Sequence, residues 1–123
     1  MPKLLIIDDE SDIREFTQSY FKKRGIDTFI AANGREGLDI IAAQSPDLVL
    51  LDMRMPGMTG IEVLREMRSR NFQTKVIMVT GIEEPEIIQE AQTLGIIDFI
   101  HKPLNLSEVE KIVMRELGKS NDT

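Results

Sequence analysis

The sequence predicts a doubly wound α/β fold, a five-stranded parallel sheet with five helices, and three observations carry that prediction. Short apolar runs, Leu4-Leu5-Ile6-Ile7, Leu48-Val49-Leu50-Leu51 and Val76-Ile77-Met78-Val79, each stop at residues suited to chemistry: Asp8-Asp9, Asp52 and Thr80-Gly81. A further run, Ile96 to Ile100, passes through His101 into Lys102-Pro103. The segments between these runs have helical period, so successive strands should be parallel and deliver their C-terminal ends to one edge.

Taken in order, the first strand covers about Lys3 to Asp8 and hands over through Glu10-Ser11-Asp12, with Ser11 the expected N-cap of the first helix. Ile13, Phe16, Thr17 and Tyr20 follow helical spacing as its inward face, and Gly25 stops it. Ile26 to Ala31 alternates apolar with polar, as an edge strand does, and ends without charge at Ala32-Asn33-Gly34. The second helix, about Arg35 to Gln44, should bury Leu38, Ile41 and Ala42. After the strand that ends at Asp52 comes a loop, Met53 to Gly60, whose Pro56, Gly57 and Gly60 imply an unusual backbone path.

The third helix turns Ile61, Leu64 and Met67 inward. The fourth begins near Pro85, buries Ile87, Ile88, Ala91 and Leu94, and ends at Gly95. Asn105 with Glu108, or Ser107 with Glu110, has capping-box spacing at the start of the fifth, which buries Val109, Ile112, Val113 and Leu117. We expect one domain over residues 1–118 and a flexible tail over 119–123. Ligands of doubly wound sheets bind beyond the strand C-termini where the winding reverses. The flavodoxin-like order 2-1-3-4-5 puts Asp8, Asp9 and Asp52 on adjacent strands at that point, drops the uncharged second strand to the outside, and lets Thr80 and Lys102 flank them.

Composition narrows the function. The 123 residues include no cysteine, which removes disulfides and thiolate chemistry, and no apolar run approaches the roughly 20 residues of a membrane helix. Met1-Pro2-Lys3 followed by acids at positions 8 to 10 does not read as a secretory signal, so a cytoplasmic location is expected. A net charge of -6 argues against direct nucleic-acid binding, and Lys22-Lys23-Arg24 and Arg65 to Arg70 read as solvated helix faces.

Three clustered carboxylates raise one another's pKa and call for a cation. Mg²⁺ fits, since it takes oxygen ligands and is usually held by one or two carboxylates together with a phosphate. With Lys102 and Thr80 it would neutralise the oxygens of a phosphoryl group transferred to Asp52, the electrostatic work that phosphoryl transfer requires.

Asp8-Asp9, Asp52 followed by Met55-Pro56-Gly57 and Gly60, Thr80, and Lys102-Pro103, in this order and each after its apolar run, resemble the receiver domains of two-component response regulators, the CheY-like family, over essentially the whole chain. The resemblance implies that Asp52 is the phosphoacceptor, that Asp9, Asp52 and the backbone carbonyl of Arg54 ligate Mg²⁺ directly, and that Asp8 does so through water. It implies Thr80 as switch hydroxyl, Phe99 as switch aromatic, Lys102 as the phosphate-pairing lysine and a cis Lys102–Pro103 bond. The implied partners are a histidine kinase or histidine phosphotransfer protein and a downstream target or output domain. They meet the chain through the surface of the fourth helix, fifth strand and fifth helix, where a phosphorylation-dependent homodimer could also form. The implied protein is a regulator that catalyses its own phosphorylation and slow dephosphorylation. Gly81 stands where the family often has alanine, and Arg54 and Ile82 border the path of the hydrolytic water and bear on phosphoryl lifetime.

Blander readings are weaker once these residues are taken together. An isolated Asp-Asp pair is more often a capping turn, His101 alone reads as a strand residue, and Met53, Met55 and Met58 read as loop packing. A haloacid-dehalogenase-like phosphatase wants a second acid two residues after its nucleophile, where this chain has Arg54, and no G-x-x-x-x-G-K-[ST] loop is present. A degenerate receiver that only binds partners would have lost a site residue, and none is lost.

Overall fold

The structure is a computed structural model and describes residues 2–81 and 84–118, so the expectations for Ile82 and for the 119–123 tail lie outside the described residues. Strands and helices alternate: β1 (Lys3–Ile7), α1 (Ser11–Lys22), β2 (Asp27–Ala31), α2 (Gly34–Gln44), β3 (Leu48–Asp52), α3 (Gly60–Ser69), β4 (Lys75–Thr80), α4 (Pro85–Leu94), β5 (Asp98–His101) and α5 (Leu106–Glu116). All neighbouring strands pair in parallel, in the order β2-β1-β3-β4-β5. β2, which ends without a charge, is indeed an edge, and β1 lies against β3.

Successive side chains of a strand point to opposite faces, and both faces of this sheet are covered. Leu5, Ile7, Val49, Leu51, Val76 and Met78 pack with Leu38, Ile41, Leu64, Met67 and Ala91 from α2, α3 and α4. Leu4, Ile6, Leu48, Leu50, Ile77 and Ile100 pack with Phe21, Val109, Val113 and Met114 from α1 and α5. This is why the central strands read as unbroken apolar runs and not as alternation. Each fully buried Leu or Ile contributes about 1.5–3 kcal/mol relative to exposure, and the two layers hold the sheet rigid beneath its C-terminal edge.

Several local expectations are corrected. Ser11 does not cap α1: Glu10 occupies that position without a side-chain cap, because the Asp8 carboxylate accepts the Glu10 amide at 2.9 Å and starts the helix one residue earlier. Phe16 is 66% exposed, and Phe21, paired with Thr17 at i, i+4, fills the core instead. Ala42 is exposed, and the buried small residues of α2 are Gly34 and Gly37; at Gly37 a Cβ would lie 2.3 Å from Ile7 Cδ1. Of the two caps weighed for α5, Asn105 is the one used, accepting the Ser107 and Glu108 amides at 3.0 and 3.3 Å.

The basic clusters are tethers more than solvated faces. Arg24 lies 3.6 Å over the Tyr20 ring and pairs with Glu110 at 3.1 Å, and Tyr20 also donates to Glu110, which ties α1 to α5. Arg65 grips Glu90 of α4 with two donors. Arg68 donates to the carbonyls of Leu94 and Gly95 at 2.7 Å each, satisfying acceptors left open at the end of α4, and to that of Phe72, just after α3, at 2.6 Å. Hydrogen bonds to a charged group contribute about 1.5–3 kcal/mol each, so α4 is fastened firmly to α3 at its C-terminal end.

Candidate functional site

Asp52 is the last residue of β3 and is 1% exposed. Lys102 Nζ reaches its two carboxylate oxygens at 3.0 and 3.1 Å, and the Arg54 amide donates to Oδ1 at 3.2 Å. The turn that follows is tight: the Met53 amide donates to Val79 of β4, and the Gly60 amide donates back to Met53, both at 2.9 Å. Glycine is required at 60, since a Cβ there would sit 2.4 Å from the Asp52 carbonyl oxygen and 2.8 Å from Met53 Cα. That close approach brings the start of α3 under the site, where Thr59 and Glu62 form a capping box that sequence reading did not single out.

Thr80 ends β4, is 1% exposed, and its hydroxyl has no hydrogen-bond partner among the described residues. An unsatisfied buried hydroxyl costs about 1–3 kcal/mol, so the resting fold carries a donor in need of an acceptor. The Lys102 amide donates to the Thr80 carbonyl at 2.7 Å, which ties the ends of β4 and β5 together, and the Lys102–Pro103 bond is cis. Phe99, opposite Met78 in the β4–β5 register, is half-buried against the α2–α4 layer, whereas His101, opposite Thr80, is exposed.

Asp8 is buried at 4% exposure, immediately after β1. Its amide donates to Ala31, and its carboxylate takes the Glu10 amide. Burial pushes its carboxyl above the usual range, with Asp52 and Asp9 adding to the rise, against the opposing Glu10 amide. Burial likewise raises Asp52, and the Lys102 ammonium and Arg54 amide offset only part of this. Burial weakens the Lys102 ammonium, but the hydrogen bond and charge of Asp52, then the charges of Asp8 and Glu10, prevail and raise its pKa.

One carboxylate was missed in the sequence. The acidic oxygens brought within 4.8 Å of one another belong to Asp8, Asp9 and Glu10, while Asp52 is drawn to Lys102. The signal is that Glu10 directly continues the acidic pair, and its place at the start of the helix masks it. This donor set, oxygen-only and partly solvated, suits a hard divalent cation such as Mg²⁺. Beside it opens a cavity of about 430 Å³ lined by Asp8, Glu10, Ile13, Lys102, Pro103 and Leu104.

The profile of the response regulator receiver domain family matches residues 4–114. The chain belongs to this family. This receiver is 43% identical to the sporulation initiation phosphotransferase F of Bacillus subtilis, over 97% of both chains, and 43% identical to the regulatory protein AtoC of Escherichia coli, of which it spans 25%. Among solved structures, a CheY-like receiver domain protein from Methanospirillum hungatei superposes with a TM-score of 0.90 at 30% identity, covering 96% of this receiver and 94% of that chain. The chemotaxis protein CheY4 of Vibrio cholerae gives 0.87 at 31% identity, over 95% and 99% of the two chains. A receiver is a regulatory module, so this chain belongs to phosphorylation-dependent two-component signalling. No helix among its described residues is long and apolar enough to cross a membrane.

Proposed function

We propose that this receiver, one domain over residues 1–118, is a cytoplasmic switch set by transfer of a phosphoryl group to Asp52 from the histidine of a kinase or phosphotransfer protein. The observation that carries the reading is a buried carboxylate held through both oxygens by Lys102, with the hydroxyl of Thr80 at the end of the adjacent strand buried and unpartnered. An Asp52 oxygen attacks phosphorus as the bond from phosphorus to the donor nitrogen breaks, and the electron pair leaves with the imidazole. Lys102 then exchanges the carboxylate for a phosphoryl oxygen, and Thr80 donates to another. Asp9, Asp52 and the Arg54 carbonyl would hold Mg²⁺ directly, with Asp8 acting through water. When bound, the ion neutralises charge on the phosphoryl oxygens.

The output is altered protein binding across α4, β5 and α5, to a downstream target or a second copy of the chain. Thr80 and His101 are opposite each other in the β4–β5 register, so a shift of Thr80 is felt at once on that surface. The wild type, given Mg²⁺ and a small phosphodonor, should gain the mass of one phosphoryl group, while Asp52→Asn should gain none. A gain that persists in Asp52→Asn, or that survives chelation of the metal, overturns the assignment.

A further inference from the structure

We infer that Glu10 is a specificity-determining residue that sets which phosphodonors Asp52 accepts, favouring donors of low net charge over free dianions. This rests on the reading of Asp52 as phosphoacceptor. Glu10 is exposed, its carboxylate lies within 4.8 Å of those of Asp8 and Asp9, and it lines the same cavity as Asp8 and Lys102. The remaining lining, Ile13, Pro103 and Leu104, is apolar. A donor that approaches Asp52 past this cavity meets one ammonium and the carboxylates of Asp8 and Glu10, and the exposed Glu10 acts on it through water.

The two acids differ in what they can do. Asp8 is buried and committed to the Glu10 amide. Glu10 makes no side-chain cap at α1 and no ion pair to it occurs among the described residues, so its charge is spent on the cavity mouth and on Lys102. A divalent cation held by Asp9 and Asp52, with Asp8 acting through water, would attract a donor, and Glu10 offsets part of that attraction in proportion to the donor's charge. A free acyl phosphate, a dianion at neutral pH, is penalised more than phosphoramidate, whose protonated amino group leaves one net negative charge.

Glu10→Gln keeps the shape and removes only the charge, at an exposed position without a capping bond, so the variant should fold as the wild type does. With saturating Mg²⁺ at low ionic strength, it should accept phosphate from acetyl phosphate on the order of threefold faster than the wild type, the size of one water-screened unit-charge contact. Phosphoramidate should gain distinctly less. Added salt should erase the difference between donors, and calorimetry should show weaker Mg²⁺ binding by the variant. Equal gains with both donors, no gain, or a gain indifferent to salt overturns the role of Glu10 while leaving Asp52 as acceptor. A wild type that takes no phosphoryl group from either donor overturns both.

Discussion

Gly60→Ala should destabilise the receiver by about 1–3 kcal/mol or more and slow phosphorylation of Asp52 in the same protein. The added Cβ would meet the Asp52 carbonyl oxygen at 2.4 Å and Met53 Cα at 2.8 Å, and both are backbone atoms that no rotamer change can move aside. Relief requires the chain to shift at Asp52 itself, or the Gly60 amide to give up its 2.9 Å bond to Met53. Either movement disturbs the residue whose carboxylate Lys102 holds. Gly57→Ala is the control: a Cβ there meets nothing within 4 Å, and only its φ of +78° is strained, a cost of roughly 1–2 kcal/mol. Denaturant melts should rank the two variants in that order, and only Gly60→Ala should slow phosphorylation.

Asp52→Asn should melt at a higher temperature than the wild type in metal-free neutral buffer, although it removes a salt bridge. The sign follows from burial. Asp52 has a folded-state pKa above its ordinary value of 3.8, so folding favours the protonated acid more than the unfolded chain does. The stability this confers is complete below 3.8 and is lost as pH rises through the folded-state value. Asparagine stays neutral and does not suffer that loss, and Lys102, at 33% side-chain exposure, can turn its ammonium to water. The stability gap should therefore widen as pH climbs above the carboxylate range and close again in acid. Mg²⁺ at about a hundredfold its dissociation constant should stabilise the wild type by about 2.7 kcal/mol, and Asp52→Asn far less. A wild type more stable than Asp52→Asn at neutral pH without metal would show that the Lys102 pair outweighs desolvation.

How much of this was legible in the sequence depends on the length scale at which each feature is encoded. Strand positions, sheet order and the convergence of Asp8, Asp9, Asp52, Thr80 and Lys102 were readable, because an apolar run buried on both faces leaves little choice of element, and parallel strands must share an edge. The phase of an amphipathic helix was less so. Phe16 and Phe21 both fit an apolar stripe on α1, and which of them enters the core depends on where the β1–α1 turn sets the helix. That turn is governed by the Asp8 carboxylate taking the Glu10 amide. Ala42 and Gly37 show the same limit on α2, where contact with Ile7 decides, and helical spacing contains no record of it. Long-range polar contacts were the least visible: nothing around Arg68 announces that its partners are carbonyls more than twenty residues away at Leu94 and Gly95.

Phosphate on Asp52 should be read by the Thr80 hydroxyl, which is buried and without a hydrogen-bond partner among the described residues. A hydrogen bond from Thr80 to a charged phosphoryl oxygen contributes about 1.5–3 kcal/mol, enough to shift a two-state population by roughly 10-fold to 150-fold. The most direct measurement compares amide chemical shifts at Phe99, His101 and α4 before and after phosphorylation, in the wild type and in Thr80→Ala, with intact mass confirming phosphate in both. Both proteins should be phosphorylated, and only the wild type should show the full shift changes along β5 and α4. An equal response in phosphorylated Thr80→Ala, or none in the phosphorylated wild type, would contradict it.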